Sequence, residues 1–293
     1  MGDRNGKSAG ALLAVDVGNT RTSLGVFDGD GLLATWTLTT PSSLTADEAF
    51  DVAFSALRSM SQRISSDLRN RVGDAFETVR DGSMEDASSL DPGSVSDAVL
   101  SCVVPDLASA WLKALRELTG RRPLSVGPGI KTGIRMKYRD PAEVGADRIA
   151  DLAAVLGDYE PPAIVVDLGT TTNFEVIDAD GVFLGGIIAP GMALGARSLA
   201  DRAAKLPVID IVAPKAVVGT CTCEAMQSGV VLGEIARIDG LLAMIEREQP
   251  AEYSIIVTGS NAAAVAPLLD HDATADATLT LRGLARLHSL NRR

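Results

Sequence analysis

The chain has 293 residues, with 27 Lys and Arg against 38 Asp and Glu, a formal net charge of −11 at pH 7. Hydrophobic residues make up 46% of it and charged residues 22%, which excludes disorder along the whole chain and suits two domains or one large α/β domain. The acidic balance argues against nucleic acid as the main partner, since such binding draws its affinity from Lys and Arg on phosphates, and no stretch approaches the ~18 apolar residues of a membrane span.

Residues 1–10 (MGDRNGKSAG) lack the apolar segment of a signal peptide and read as a disordered tail on a cytoplasmic protein. Ala11 to Asp16 is a short apolar strand, and Thr22 to Phe27 and Leu32 to Leu38 follow as strands around the turn Asp28-Gly29-Asp30-Gly31. From Ala46 to about Arg71 the spacing turns helical, with Phe50, Ala53, Phe54 and Leu57 on one face. Residues 72–96, rich in Ser, Asp and Gly, are too polar to pack a core and read as a surface insertion. A strand over Val99 to Val104 stops at Pro105. A short helix over Ala108 to Leu118, a strand near Leu124 to Val126 and an Ala-rich helix over 142–156 come next.

The second half repeats the first. Val15-Asp16-Val17-Gly18-Asn19-Thr20 and its hairpin recur as Val166-Asp167-Leu168-Gly169-Thr170-Thr171 with a hairpin through Ile177-Asp178-Ala179-Asp180-Gly181. One duplication over ~150 residues fits two domains of one topology better than a solenoid. Gly157, Pro161 and Pro162 mark the junction, giving domains at 11–158 and 159–293. Beyond it come a Gly-rich stretch from Gly185 to Gly195, a helix over 222–247, a strand over 254–258 running into Gly259, and a last helix over 280–290.

Each repeat ends an apolar strand in Asp-x-Gly and then turns through Asn-Thr or Thr-Thr. Glycine lets backbone approach a phosphate closely, N–H and hydroxyl groups donate to its oxygens, and the Asp holds a metal ion or its waters. Either copy alone is as readily an ordinary turn, whereas two matched copies suggest a clasp on a nucleoside triphosphate. Asp147 and Arg148, in Asp140-Pro141-Ala142-Glu143-Val144-Gly145-Ala146-Asp147-Arg148, suit a proton acceptor and an anion fork for phosphoryl transfer to a hydroxyl. On spacing alone they read more readily as surface charges with an i,i+4 contact to Glu143. Cys102, Cys221 and Cys223, with His271 and His288, match no zinc site or disulfide framework. Mostly buried reduced thiols, surface histidines, and core positions for Trp36 and Trp111 are expected.

In its ordered series of motifs the chain resembles the type III pantothenate kinases, of the actin, Hsp70 and sugar kinase superfamily. The resemblance runs from about 11 to 291 outside 72–96. It rests on Asp16 through Thr20, Ser101-Cys102-Val103-Val104-Pro105, Pro141 through Arg148, Asp167 through Thr170, Gly185-Gly186 through Pro190-Gly191, Ala204-Lys205-Leu206-Pro207, Glu224 through Gly229 and Leu279 through Leu284. It implies an α/β fold of two ribonuclease H-like domains with a nucleotide cleft between them, the actin-like ATPase arrangement. The implied activity is ATP-dependent phosphorylation of pantothenate, the first step of coenzyme A synthesis, by a homodimer.

By position, the resemblance implies Asp147 as proton acceptor. It implies Tyr138, Gly145, Ala146, Asp147, Arg148 and Thr222 as pantothenate contacts, and Asp16, Val17, Gly18, Asn19, Thr20, Arg21, Thr22, Ser23 and Thr170 as ATP and phosphate contacts. Asp167 is implied as holder of a monovalent cation, K⁺ or NH₄⁺, with Mg²⁺ accompanying ATP. The chain departs from the family pattern at Thr220, Ser260, Asn173, Glu175 and Ala203. A non-catalytic binding relative, or a kinase for another small hydroxyl acceptor, stands as the alternative.

Overall fold

The computed structural model describes residues 10–73 and 92–292. They belong to two compact units. The first takes the chain up to Thr132, Gly145–Ala150 and Leu281 onward; the second takes Gly133–Val144 and Asp151–Thr280. The junction expected near 157–162 lies inside the second of these units.

In the first unit, β1 (Ala11–Val17), β2 (Arg21–Asp28) and β3 (Gly31–Thr39) form an antiparallel meander. After α1 (Ala46–Gly73) and a 3₁₀ turn (Pro92–Ser94), β4 (Val95–Cys102) pairs with β1 in parallel; α2 (Pro105–Thr119) and β5 (Leu124–Ser125) complete the order β3-β2-β1-β4-β5. β1 lies centrally and is covered on both faces, so its sequence is a continuous apolar run; β3, at the edge, alternates exposed and half-buried residues. α2 starts at Pro105, whose missing N–H costs nothing in a first turn, and stops at Gly120 in the left-handed region with φ 67°.

The expected stripe of α1 holds at Ala53 and Leu57 and is corrected at Phe54. Ala49, Ala53, Ala56, Leu57 and Met60 face the core, while Phe54 is exposed and stacks on Phe50 at 6.0 Å. Alanines let α1 approach α2 and the sheet more closely than phenylalanines would. Of the expected insertion, 74–91 lie outside the described residues, as do 1–9 of the expected tail, whereas Val95 is buried as the first residue of β4.

The second unit repeats the plan. β7 (Ala163–Leu168), β8 (Thr171–Ile177) and β9 (Val182–Pro190) form the meander. β10 (Ser254–Gly259) pairs with β7 in parallel, β11 (Ala273–Ala275) with β10, and β6 (Arg135–Met136) flanks β9, giving β11-β10-β7-β8-β9-β6. Read from β9 to β11, this is the order of the first sheet, as the sequence repeat predicts. The helices are α3 (Ala146–Asp158), α4 (Met192–Arg202), α5 (Thr222–Gln227), α6 (Gly233–Glu248), α7 (Ala262–Val265) and α8 (Leu279–Asn291). Five residues of α3 and most of α8 belong to the first unit. The helix expected over 222–247 is interrupted by a π turn at Ser228–Leu232. Two-residue strands such as β6 leave no periodicity to read in the sequence.

Trp111 is fully buried, and Trp36, half-buried, lies under the Arg63 guanidinium at 5.1 Å. The expectation of mostly buried thiols is corrected: Cys102 is half-buried, but Cys221 and Cys223, at the start of α5, are exposed.

Candidate active site

The parallel pairing of β1 with β4 sets Asp16 beside Ser101 at the carboxyl end of the first sheet. Past Asp16 the chain turns through Gly18, whose N–H donates to the Arg21 carbonyl at 2.9 Å. Thr40 pins this turn, donating from its backbone N–H to the Thr20 carbonyl at 2.9 Å and from Oγ1 to the Gly18 carbonyl at 2.7 Å. Asn19, Thr20 and Arg21 stand exposed on it. Val17 and Thr22 face inward, and Thr22 Oγ1 lies 2.9 Å from Thr40 Oγ1. Of the implied phosphate-binding segment, Asn19, Thr20 and Arg21 thus present side chains outward, and Val17 and Thr22 hold the turn.

The first turn of α3 brings Asp147 into electrostatic range of Asp16. Val144 is extended, so the helix opens only at Ala146, and Asp147 Oδ1 accepts from the Arg148 N–H at 2.8 Å. A Cβ on Gly145 would meet Asp147 Oδ1, so a larger residue here would displace the Asp147 carboxylate. Arg148 is only 6% exposed, which overturns its reading as a surface charge, while Asp147 is half-buried.

Asp16 Oδ1 is enclosed and has no hydrogen-bond partner. Burial pushes the Asp16 carboxyl up to about 7; the neighbouring Ser101 hydroxyl offsets part of this, and repulsion from Asp147 adds to it. The elevation corresponds to at most roughly 4 kcal/mol against the ionised form. Because the folded value exceeds the unfolded one, the protonated carboxyl favours the native state at low pH, and that contribution is lost as pH rises through about 7. Between pH 5 and 7.5 the ligand-free protein should therefore lose roughly 2–3 kcal/mol that an Asp16→Asn variant retains. Urea titrations of both proteins at the two pH values check this, and an equal difference at both would mean that Asp16 titrates as an ordinary carboxyl. Cys102, next along β4, donates to the Val104 carbonyl at 3.1 Å, and burial pushes its thiol up, so it packs as a neutral group.

In the second unit, the matching turn follows Asp167. Gly169 N–H donates to the Thr171 carbonyl at 3.0 Å, and Gly191 N–H to the Thr170 carbonyl at 3.1 Å. Gly259, at the end of β10 with φ 88°, packs against this turn; a Cβ would lie 2.8 Å from Asp167 Oδ1. The conformation here demands glycine, whereas Ser260 beside it is exposed. Opposite Asp167 on β8 is Asn173, buried, with Oδ1 lacking a hydrogen-bond partner.

A buried network behind this turn went unread in the sequence. Thr172 Oγ1 donates to Glu234 Oε1 at 2.5 Å, Glu234 pairs with Arg237, and Arg237 donates to the Pro190 carbonyl at 2.6 Å. Glu234 and Arg237 look like exposed helix charges until α6 is docked on the sheet. The signal available was an i,i+3 acid–base pair within an apolar helix.

Tyr138 stacks on Phe183 with centroids 5.6 Å apart. Thr222, exposed, opens α5 behind Cys221; Thr220 departs from the family pattern but donates to Glu224 Oε2 from both N and Oγ1 at 2.8 Å, fixing the loop. The residues expected to act together therefore divide: Asp16, Gly18–Ser23 and Gly145–Arg148 belong to the first unit, and Tyr138, Asp167, Thr170 and Thr222 to the second.

A family model described as Type III pantothenate kinase matches residues 12–68 and 60–244. Proteins of that description from Moorella thermoacetica and Anaeromyxobacter sp. (strain K) are 34% and 37% identical to this chain, over 96% of it and 99% and 100% of their own lengths. Another, from Halalkalibacterium halodurans, is 35% identical over 96% of this chain and 99% of its own. Among solved structures, the ethanolamine utilization protein EutJ from Carboxydothermus hydrogenoformans superposes with a TM-score of 0.51 at 14% identity, covering 94% of this chain and 89% of that one. At that identity the likeness concerns the fold alone.

Proposed function

The chain belongs to the type III pantothenate kinase family, ATP-dependent kinases of coenzyme A biosynthesis, and from this we propose that it phosphorylates pantothenate at the carboxylate pair of its first unit. The observation that carries the assignment is the approach of Asp147, at the head of α3, to the enclosed Asp16. Phosphoryl transfer asks little covalent chemistry of a protein; it asks for position, charge compensation and a proton acceptor. Asp147 takes the proton of the primary hydroxyl as its oxygen attacks the γ-phosphorus. Arg148, behind it and buried, orients the pantothenate carboxylate. Asn19 and Thr20 hold phosphate oxygens. The family resemblance gives Thr170 a phosphate role, and Tyr138, which stacks on Phe183, and Thr222 pantothenate roles.

The residues present fit the two cations this reading needs. Asp16 Oδ1 is a buried oxygen without a partner, suited to Mg²⁺, which when bound offsets the negative charge on the transferred group. Asp167, with the unpartnered Asn173 Oδ1 across the strand pair, offers hard oxygen ligands to K⁺ or NH₄⁺. A homodimer is supported by apolar side chains on the second unit: Val208 is 91%, Val217 74% and Val218 82% exposed, a pattern that favours burial against a second copy. The family footing also supports work in the cytoplasm, and among the described residues no helix is long and apolar enough to cross a membrane.

The test is ADP formation with MgATP and KCl, with and without pantothenate, repeated in NaCl, on protein whose mass is read by light scattering. Expected are pantothenate-dependent turnover, a fall of at least severalfold in NaCl, and twice the chain mass. Absence of turnover in the folded protein would reject the acceptor, equal rates in both salts the Asp167 site, and a single-chain mass the dimer.

A further inference from the structure

The first unit carries a cleft that the kinase reading does not use. Its volume is about 1290 Å³, and it is lined by α2, β5, the 127–130 loop and the end of α8. That exceeds the usual ~300–1,000 Å³ of a small-molecule site, leaving room for a ligand of nucleotide size. Among the described residues, five permanent cations line it, Lys113, Arg116, Arg121, Arg122 and Arg292, against a single carboxylate, Asp97. In a chain where acids outnumber bases 38 to 27, this is a reversal of the average surface. Asp97 is shared by Arg121 at 3.3 Å and Arg292 at 3.4 Å, and Lys113, Arg116 and Arg122 make no ion pair among the described residues.

Attraction to the carbonyl end of α2 accounts for a cation such as Arg116 in the last turn. It does not account for Lys113 earlier in the helix, or for Arg292 arriving from α8. The opposite wall is an open glycine loop at Gly127 and Gly129, where an added Cβ would meet nothing within 4 Å. Asn291 fastens the end of that loop, accepting from Lys131 N–H at 2.9 Å and donating to its carbonyl at 2.8 Å. His288 completes the lining; burial holds its imidazole below the usual range, so near neutral pH it offers a hydrogen bond and no further charge.

We propose that this cleft binds a small molecule carrying at least two phosphate groups. Converging guanidinium forks suit phosphate geometry, and neighbouring cations tolerate each other best when a multivalent anion lies between them. Single-stranded nucleic acid fits poorly. Such sites interleave cations with aromatic stacking platforms, and among the described residues no Phe, Tyr or Trp lines this cleft.

The test is calorimetric titration of inorganic pyrophosphate and tripolyphosphate into the whole protein and into Arg116→Gln/Arg122→Gln, two exposed positions whose replacement leaves the core untouched. Expected are one site per chain, tighter for tripolyphosphate, and weakening of at least tenfold in the double variant with pantothenate-dependent turnover unchanged. Asp97→Asn, which removes the one acid, should tighten pyrophosphate severalfold. Binding absent up to millimolar probe, or undiminished in the double variant, would overturn the proposal. The double variant spares every residue assigned to the kinase, so failure of this proposal is distinguishable from failure of that assignment.

Discussion

Asp147→Asn is expected to lower turnover by roughly 10²–10⁴-fold, the range a positioned general base contributes. The substitution keeps the shape of the side chain, and an amide oxygen can still accept from the Arg148 N–H that Asp147 Oδ1 now holds at 2.8 Å. Folding and pantothenate binding should therefore persist while kcat collapses. A second readout separates loss of the base from structural damage. Asp147 is one of the causes that raise Asp16, so in the variant the Asp16 carboxyl should titrate lower than in the wild type, measurable by difference infrared titration. Wild-type turnover in the folded variant would remove Asp147 from the mechanism.

Gly283→Ala carries the second largest expected effect, and it is one that helix propensity predicts with the wrong sign. Within an exposed helix, Gly to Ala gains roughly 1 kcal/mol. Gly283, however, is buried in α8 where a Cβ would drive into the backbone carbonyl of Ala150 in α3. No rotamer relieves a backbone clash, so the helices must separate, at a cost of about 3 kcal/mol or more. Because Ala150 lies one turn beyond Asp147, the displacement should also lower kcat. Gly240→Ala in α6 is the control: the position is exposed, an added Cβ meets nothing within 4 Å, and stability should rise by about 0.5–1 kcal/mol. Thermal unfolding of the two variants beside wild type decides the matter, and equal stabilisation by both would mean that α3 and α8 do not pack as described.

Some of these features were legible in the residues themselves. The duplicated Asp-x-Gly turn predicts two sheets of one order because strand, turn and hairpin are short-range events written in apolar runs and glycines. β3-β2-β1-β4-β5 and its counterpart β9-β8-β7-β10-β11 follow from it. Long helices were legible by period, and the buried stripe of α1 keeps Ala53 and Leu57, adds Ala49, Ala56 and Met60, and leaves Phe54 exposed. Periodicity reports a face but not how closely that face must approach its neighbour.

What the sequence by itself determined is therefore the repeat and the family. Backbone turns and strand ends depend on residues adjacent in the chain. The tertiary structure alone decided which charges are buried. On spacing, Asp147 and Arg148 read first as solvated helix charges, until Arg148 is found enclosed and Asp16 raised beside Asp147. Glu234 becomes a buried partner of the half-buried Arg237, and Lys113 and Arg116 join Arg292, far from them in sequence, in one basic cleft. The reason is physical: desolvation and Coulomb interaction depend on distance in space, which only the packed chain defines.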